Sequence, residues 1–334
     1  MRRSAAAALA GAGAAAWTAT ALADHRRIAR DPMRPAFAVP LHGETLRVAG
    51  AGDTELQVEV FGPADAPPIV LSHGWTCARR FWTLQIQALA GDRRVIAYDQ
   101  RGHGDSASPA GGDWSVEALG EDLERVLDAT LQPSERAVIA GHSLGGMTIA
   151  AWARLRGGAS DRAAAVAFLN TGMGDLIDEA LLLRAPTPLA AVRGAVGRAM
   201  LSASLPMPAR STPLAHRAVH AIAFGPDASP ATVAFGERMV LECRRDVRSG
   251  TGGTLAKLDL HDAAAHVDVP AVVLAGSRDR LTPPVHAERL AADLPQLARY
   301  VKVDRSGHMT PLEQPEAVNE LLAELSAAPA TVAA

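Results

Sequence analysis

From Glu55 onward the chain alternates two hydrophobic patterns: short runs in which nearly every residue is apolar, and longer stretches in which apolar residues return every third or fourth position. Pro68 to Ser72, Arg94 to Tyr98, Ala137 to Ala140, Ala163 to Leu169 and Val269 to Ala275 are of the first kind, as strands covered on both faces are, and Arg299 to Val303 reads as a further strand. Thr45 to Val48 and Glu55 to Phe61 alternate instead, as a hairpin would around Ala49 to Asp53. Helical spacing runs through Phe81 to Ala90, Ser115 to Leu131, Met147 to Leu155, Pro284 to Leu294 and Pro315 to Leu325. In the second of these, Val116, Leu119, Leu123, Val126 and Leu127 share a face behind Ser115 as a cap. Strand and helix in turn predict an α/β fold, a mostly parallel eight-stranded sheet with helices on both faces.

The alternation breaks between Thr171 and about Asp262, where Leu189, Val192, Val196 and Met200 share a helical face and Pro206, Pro208, Pro213, Pro226, Gly250 and Gly252 punctuate. The reading is a helical cap at residues 172–262 inserted into a core of residues 44–171 and 263–325, with a flexible tail at 326–334. Residues 31–43, with three prolines, read as a linker. Ahead of it, residues 1–30 hold a targeting-type segment: Arg2 and Arg3, an uncharged run at residues 4–23, and an Ala21-Leu22-Ala23 ending. That run fits a cleavable signal peptide, and at about 20 residues it is long enough for a membrane anchor. Arg26, Arg27 and Arg30 just beyond it blur the charge asymmetry that sets an orientation. The expectation is a membrane-associated or exported protein, with a cytoplasmic one as the alternative.

Composition changes the picture little. A hydrophobic content of 48% over 334 residues supports a sizeable core. The net charge of −3, with Arg scattered among Asp and Glu, leaves no basic stripe and argues against a nucleic-acid partner. Two cysteines, Cys77 and Cys243, make neither a disulfide framework nor a zinc site, although one bridge between them could pin the cap. The sequence contains no metal cluster or phosphate loop, so no cofactor is expected.

The chemistry centres on Ala140-Gly-His-Ser-Leu-Gly-Gly146, which sets Ser143 between glycines where a strand turns into a helix. Leu144 begins that helix, where its N–H has no intrahelical partner and can face a developing oxyanion. Serine is a weak nucleophile and needs a base and a carboxylate to orient that base. Asp279 and His308 each lie just past the end of a strand, and parallel strands bring their C-terminal ends to one edge. Asp175 is a rival for the acid. Asp99, Arg101, His103, His73 and His142 read as supports of their loops, and the ring of Trp75 suits either a pocket wall or ordinary packing.

With these residues in the order Ser, Asp, His, the chain from about Leu56 to Leu325 resembles the α/β-hydrolase fold superfamily. The resemblance is to its capped serine hydrolases, the carboxylesterases, monoacylglycerol lipases and cofactor-free haloperoxidases. It rests on His73-Gly74-Trp75, Asp99-Gln-Arg-Gly-His-Gly-Asp-Ser106, Gly141-His-Ser-Leu-Gly145, Gly276-Ser-Arg-Asp279 and Ser306-Gly-His308. It implies that the N–H of Trp75 joins that of Leu144 in an oxyanion hole. The expected activity is hydrolysis of an apolar ester through an acyl-enzyme on Ser143; a serine there argues against dehalogenase and epoxide hydrolase chemistry. A haloperoxidase or perhydrolase on the same residues, and a non-catalytic binding protein of the same fold, are the alternatives. Leu181, Leu182, Leu183, Met200, Leu201, Leu205, Met207, Phe224, Phe235 and Met239 suit an apolar pocket, or the packing of cap onto core.

Overall fold

A computed structural model of the chain describes residues 19–180, 197, 199 and 210–327. Eight strands form one sheet: β1 (Glu44–Ala49), β2 (Glu55–Phe61), β3 (Pro68–Ser72), β4 (Arg94–Tyr98), β5 (Ala137–His142), β6 (Ala163–Leu169), β7 (Ala271–Gly276) and β8 (Leu297–Val303). Their order is β1-β2-β4-β3-β5-β6-β7-β8. The first two pairings, β1 with β2 and β2 with β4, are antiparallel and the others parallel, the arrangement expected from the alternation of patterns.

Because side chains alternate across a strand, each run feeds two cores. Val70, Ile96 and Ile139 point to one face, where the helices Val116–Thr130, Leu144–Arg156 and Pro284–Asp293 cover them. Ile69, Leu71, Val95 and Val138 point to the other, under Thr83–Leu89 and Pro315–Ala327. We number the helices α1 (residues 19–29), α2 (Thr83–Leu89), α3 (Val116–Thr130), α4 (Leu144–Arg156), α5 (Leu176–Glu179), α6 (Pro213–Ala223), α7 (Pro230–Glu242), α8 (Arg245–Leu255), α9 (Pro284–Asp293), α10 (Thr310–Glu313) and α11 (Pro315–Ala327). Ser115 does cap α3, its hydroxyl accepting from the Ala118 N–H.

Helix α4 begins at Leu144, directly after the turn at Ser143: Gly145 and Gly146 are poor helix formers, but a Cβ on Gly145 would lie 2.0 Å from the Ser72 carbonyl oxygen. Close packing of the helix start on β3 therefore outweighs propensity. Strand β7 begins at Ala271, not Val269, because Pro270 has no N–H for the ladder.

Helices α5 to α8 lie between β6 and β7, and the two stems of this insertion pair where Gly174 bridges Asp259 and the Leu260 N–H donates to Met173 (2.6 Å). Residues 31–43, expected as a linker, make contacts with the insertion. The buried Asp31 carboxylate accepts from the Ala231 N–H at the start of α7, and Phe37 stacks on Phe235 with ring centroids 4.4 Å apart. Among the described residues no helix is long and apolar enough to cross a membrane. Most of the targeting run, residues 4–18, lies outside the described residues, as do Leu181, Leu182, Leu183, Leu189, Val192, Val196, Met200, Leu201, Leu205, Met207 and residues 328–334. Of the expected tail, Ser326 and Ala327 belong to α11.

Candidate active site

Ser143 stands at the end of β5 with φ 52° and ψ −116°, a backbone conformation that costs a non-glycine residue on the order of 1–3 kcal/mol. The turn is possible because its neighbours carry no Cβ. One on Gly141 would lie 2.3 Å from the Gly145 carbonyl carbon. The strain is held by the Ser143 N–H on Leu169 O (2.9 Å) and by the Thr171 hydroxyl on Ser143 O (2.7 Å). Ser143 is half-buried, and its own hydroxyl has no hydrogen-bond partner among the described residues.

Asp279 and His308 meet as the strand ends suggested. His308 Nδ1 lies 2.9 Å from Asp279 Oδ2, with both side chains buried. A carboxylate only accepts, so Nδ1 carries the proton and Nε2 is left with its lone pair. Asp279 is held by more than His308: Oδ1 accepts from the N–H groups of Leu281 and Thr282 (both 2.9 Å), and Oδ2 from the Asn170 amide (3.0 Å). Burial pushes its carboxyl up, but the facing imidazole together with the bonds from His308, Asn170 and Thr282 outweighs burial and holds it below the ordinary carboxylate range. Asp175, the rival acid, is half-exposed and pairs with His261 (3.3 Å) and Arg289, away from His308.

His308 is brought to Ser143 through the residue between Gly141 and Ser143. His142 Nε2 lies 2.8 Å from the His308 carbonyl oxygen, their rings are 4.9 Å apart, and the far face of His142 stacks on Phe81. No Ser143 Oγ to His308 Nε2 hydrogen bond is formed, whereas the His308–Asp279 bond is. On the opposite side, a Cβ on Gly74 would lie 3.2 Å from Ser143 Cβ, so the Gly74–Trp75 peptide lies against the serine. His73 Nε2 accepts from the Gln100 N–H (3.0 Å), so its Nδ1 bears the proton donated to Gly74 O (2.8 Å). In a trans peptide the N–H points opposite the C=O, so this bond turns the Trp75 N–H away from His73. Neither the Trp75 nor the Leu144 N–H has a carbonyl partner among the described residues. An imidazole held by a carboxylate can take a proton at Nε2, and two free N–H groups can hold an oxyanion.

The loop histidines and their neighbours serve structure. Arg101 grips Asp122 with Nε (2.6 Å) and a terminal nitrogen (2.7 Å), Asp99 binds Arg79 and the Asp105 N–H, and His103 faces His73 edge-on. Burial pushes His73 down to about 4, and His103 and His142 down to about 3. This has a consequence for acid stability. In the unfolded chain these imidazoles titrate near 6.5, so between about pH 6.5 and 3 the unfolded state binds protons that the folded state refuses, and stability falls as pH falls. Each fully titrating histidine contributes a slope of about 1.4 kcal/mol per pH unit, about 4 for the three. Urea midpoints are expected to hold above pH 7 and drop clearly by pH 5; a flat profile across that range contradicts the assignment.

Of the two readings for Phe224, Phe235 and Met239, packing holds: all three are insertion residues buried in the cluster against the sheet. Phe235 and Met239 also border a cleft of about 530 Å³ shared with Phe37, Ile86, Arg80 and Arg238, which does not include Ser143 or His308. Cys77 and Cys243 are free thiols on that cleft, both pushed up to about 12 by burial. The ring of Trp75 packs against the core, with its Nε1 unpaired. Asn170, Thr282, Thr171 and Glu313 were not singled out from sequence; Asn170 stands directly after a strand end, and Glu313 five residues past His308. Among the described residues no group of His, Cys, Asp and Glu could hold a metal.

Residues 67–315 match the family described as alpha/beta hydrolase fold. A candidate carbamate hydrolase, RutD, of Variovorax paradoxus is 41% identical over 93 residues; the alignment covers 28% of this chain and 34% of that relative, so the chain spans about a third of its length. The 3-oxoadipate enol-lactonase 1 of Acinetobacter baylyi is 29% identical over 268 residues, covering 78% of this chain and 89% of the relative. Among solved structures, the enol-lactonase of Burkholderia xenovorans LB400 superposes with a TM-score of 0.65 at 26% identity, covering 84% of this chain and 99% of that one.

Proposed function

The chain belongs to the alpha/beta hydrolase fold family and is a hydrolase, and from that premise we propose that it cleaves esters of small or medium apolar acyl compounds through an acyl-enzyme on Ser143. In this reading His308 Nε2 takes the proton of the Ser143 hydroxyl while Oγ attacks the ester carbonyl carbon. The N–H groups of Trp75 and Leu144 hold the resulting oxyanion. Collapse of the tetrahedral adduct breaks the C–O bond to the alcohol, which leaves with the proton from His308. Water then gives a proton to His308 and attacks the acyl carbon, Ser143 recovers its proton, and the carboxylic acid departs. Asp279 stays ionised throughout and holds the imidazole tautomer. The insertion acts as the cap over this site.

The observation that carries the reading is the buried Asp279–His308 pair set beside a strained, half-exposed serine whose hydroxyl is unengaged. The relatives that are enol-lactonases by name support an ester bond, open or cyclic, as the target. The test is a panel of p-nitrophenyl esters from acetate to octanoate together with an enol-lactone. Saturable hydrolysis of at least one ester class is expected. A protein that hydrolyses none of them, and instead only halogenates a phenol dye with bromide and peroxide or only binds a ligand, contradicts the reading.

A further inference from the structure

The loop that carries His308 is gripped from three sides. Glu313, at the end of α10, accepts from the N–H groups of Gly307 (3.0 and 3.1 Å) and Met309 (3.1 Å), the residues on either side of His308. The same carboxylate accepts from the Gly225 N–H (2.7 Å), in the turn between α6 and α7 of the insertion. That turn is pressed onto the loop: the His308 N–H donates to Ala223 O (2.8 Å), and a Cβ on Gly307 would lie 2.4 Å from the Phe224 carbonyl carbon. On the far side of the loop, Gly307 O accepts from the Asn170 amide (3.0 Å), which also holds Asp279. Arg305 adds an exposed ion pair to Asp227.

A carboxylate offers about four lone-pair sites, and here three backbone donors share them. Two of those donors fix the peptides flanking His308, and the third comes from a segment some eighty residues earlier in the chain. Together with the Asn170 bond, this leaves the loop little freedom to slide along the edge of the sheet. We propose that Glu313 is a positioning residue for His308, and that through Gly225 the insertion itself forms part of the seat on which the base is set. The turn at Gly225 therefore stays docked while substrate enters past other parts of the insertion, because lifting Gly225 would remove one support of the base.

This rests on His308 being the base, so the test includes a variant that reads that separately. Glu313→Gln is nearly isosteric but turns an NH2 toward backbone donors; Glu313→Asp keeps the acceptor and shortens its reach. Both are expected to lower kcat for a p-nitrophenyl ester by about ten- to a hundredfold, the scale of a displacement near 1 Å in a catalytic group, with KM within about twofold. Should Glu313→Gln fail to fold, as its unfolding midpoint will tell, Glu313→Asp carries the test. Asp227→Asn removes the exposed ion pair without touching the three N–H bonds and is expected to leave kcat within about twofold. The decisive readout is a double-mutant cycle scored by the rate of fluorophosphonate labelling of Ser143. Glu313→Gln is expected to slow labelling in the wild-type background and to have no further effect in His308→Ala, because it acts through His308. Equal slowing in both backgrounds, or an unchanged kcat, overturns the positioning role. A His308→Ala protein that keeps wild-type turnover overturns the base assignment instead.

Discussion

Ester turnover by the Ser143→Ala protein is expected to fall on the order of 10⁶-fold, the loss found when the attacking hydroxyl of a serine–histidine–carboxylate set is removed. The change should be nearly silent for the fold. The hydroxyl has no hydrogen-bond partner among the described residues, and alanine meets the positive φ of 52° with the same Cβ that serine does. The turn is held by backbone, through the Ser143 N–H on Leu169 and the Thr171 hydroxyl on Ser143 O, and both bonds survive. A loss of activity with an unchanged unfolding midpoint separates chemistry from stability. Retention of wild-type turnover would show that another group attacks.

Replacing the acid is expected to cost less, on the order of 10³ to 10⁴ in kcat for Asp279→Asn. The reason lies in the tautomer. Asp279 Oδ2 holds the proton on His308 Nδ1; an asparagine that turns its NH2 to the ring makes Nδ1 the acceptor and moves the proton to Nε2, where the serine's proton must go. The five donors now converging on the carboxylate, from Leu281, Thr282, Asn170 and His308, would also face a neutral amide. Asp175→Asn is the matched control. Its carboxylate is exposed and occupied by His261 and Arg289, so kcat is expected to stay within about twofold. If Asp175→Asn lost activity and Asp279→Asn kept it, the acid would have been assigned to the wrong strand end.

The fold was legible because its central strands are short apolar runs, its first two strands alternate, and its helices carry clean spacing. Ile69 to Leu71 and Val95 to Ala97 are buried on both faces, as such composition requires. Legibility failed at some element ends, as at Val269, which reads as the start of a strand although Pro270 leaves β7 to begin at Ala271. Ser143, Asp279 and His308 could be read because each follows a strand end in a recognisable glycine-bearing turn. Their supports could not. Asn170 reaches Asp279 and Gly307 across more than a hundred residues of sequence, and Glu313 joins His308's loop to Gly225; neither bond leaves a periodic trace. The three buried histidines are a related case: composition shows them as titratable groups, whereas burial pushes His73, His103 and His142 well below the ordinary imidazole range.

The proposal of an activated serine is tested most directly by labelling the native protein with a fluorophosphonate and mapping the modified peptide. Stoichiometric modification at Ser143, abolished in Ser143→Ala and strongly slowed in His308→Ala, is the expected result. No modification under native conditions, or modification at another residue with Ser143 untouched, would contradict it.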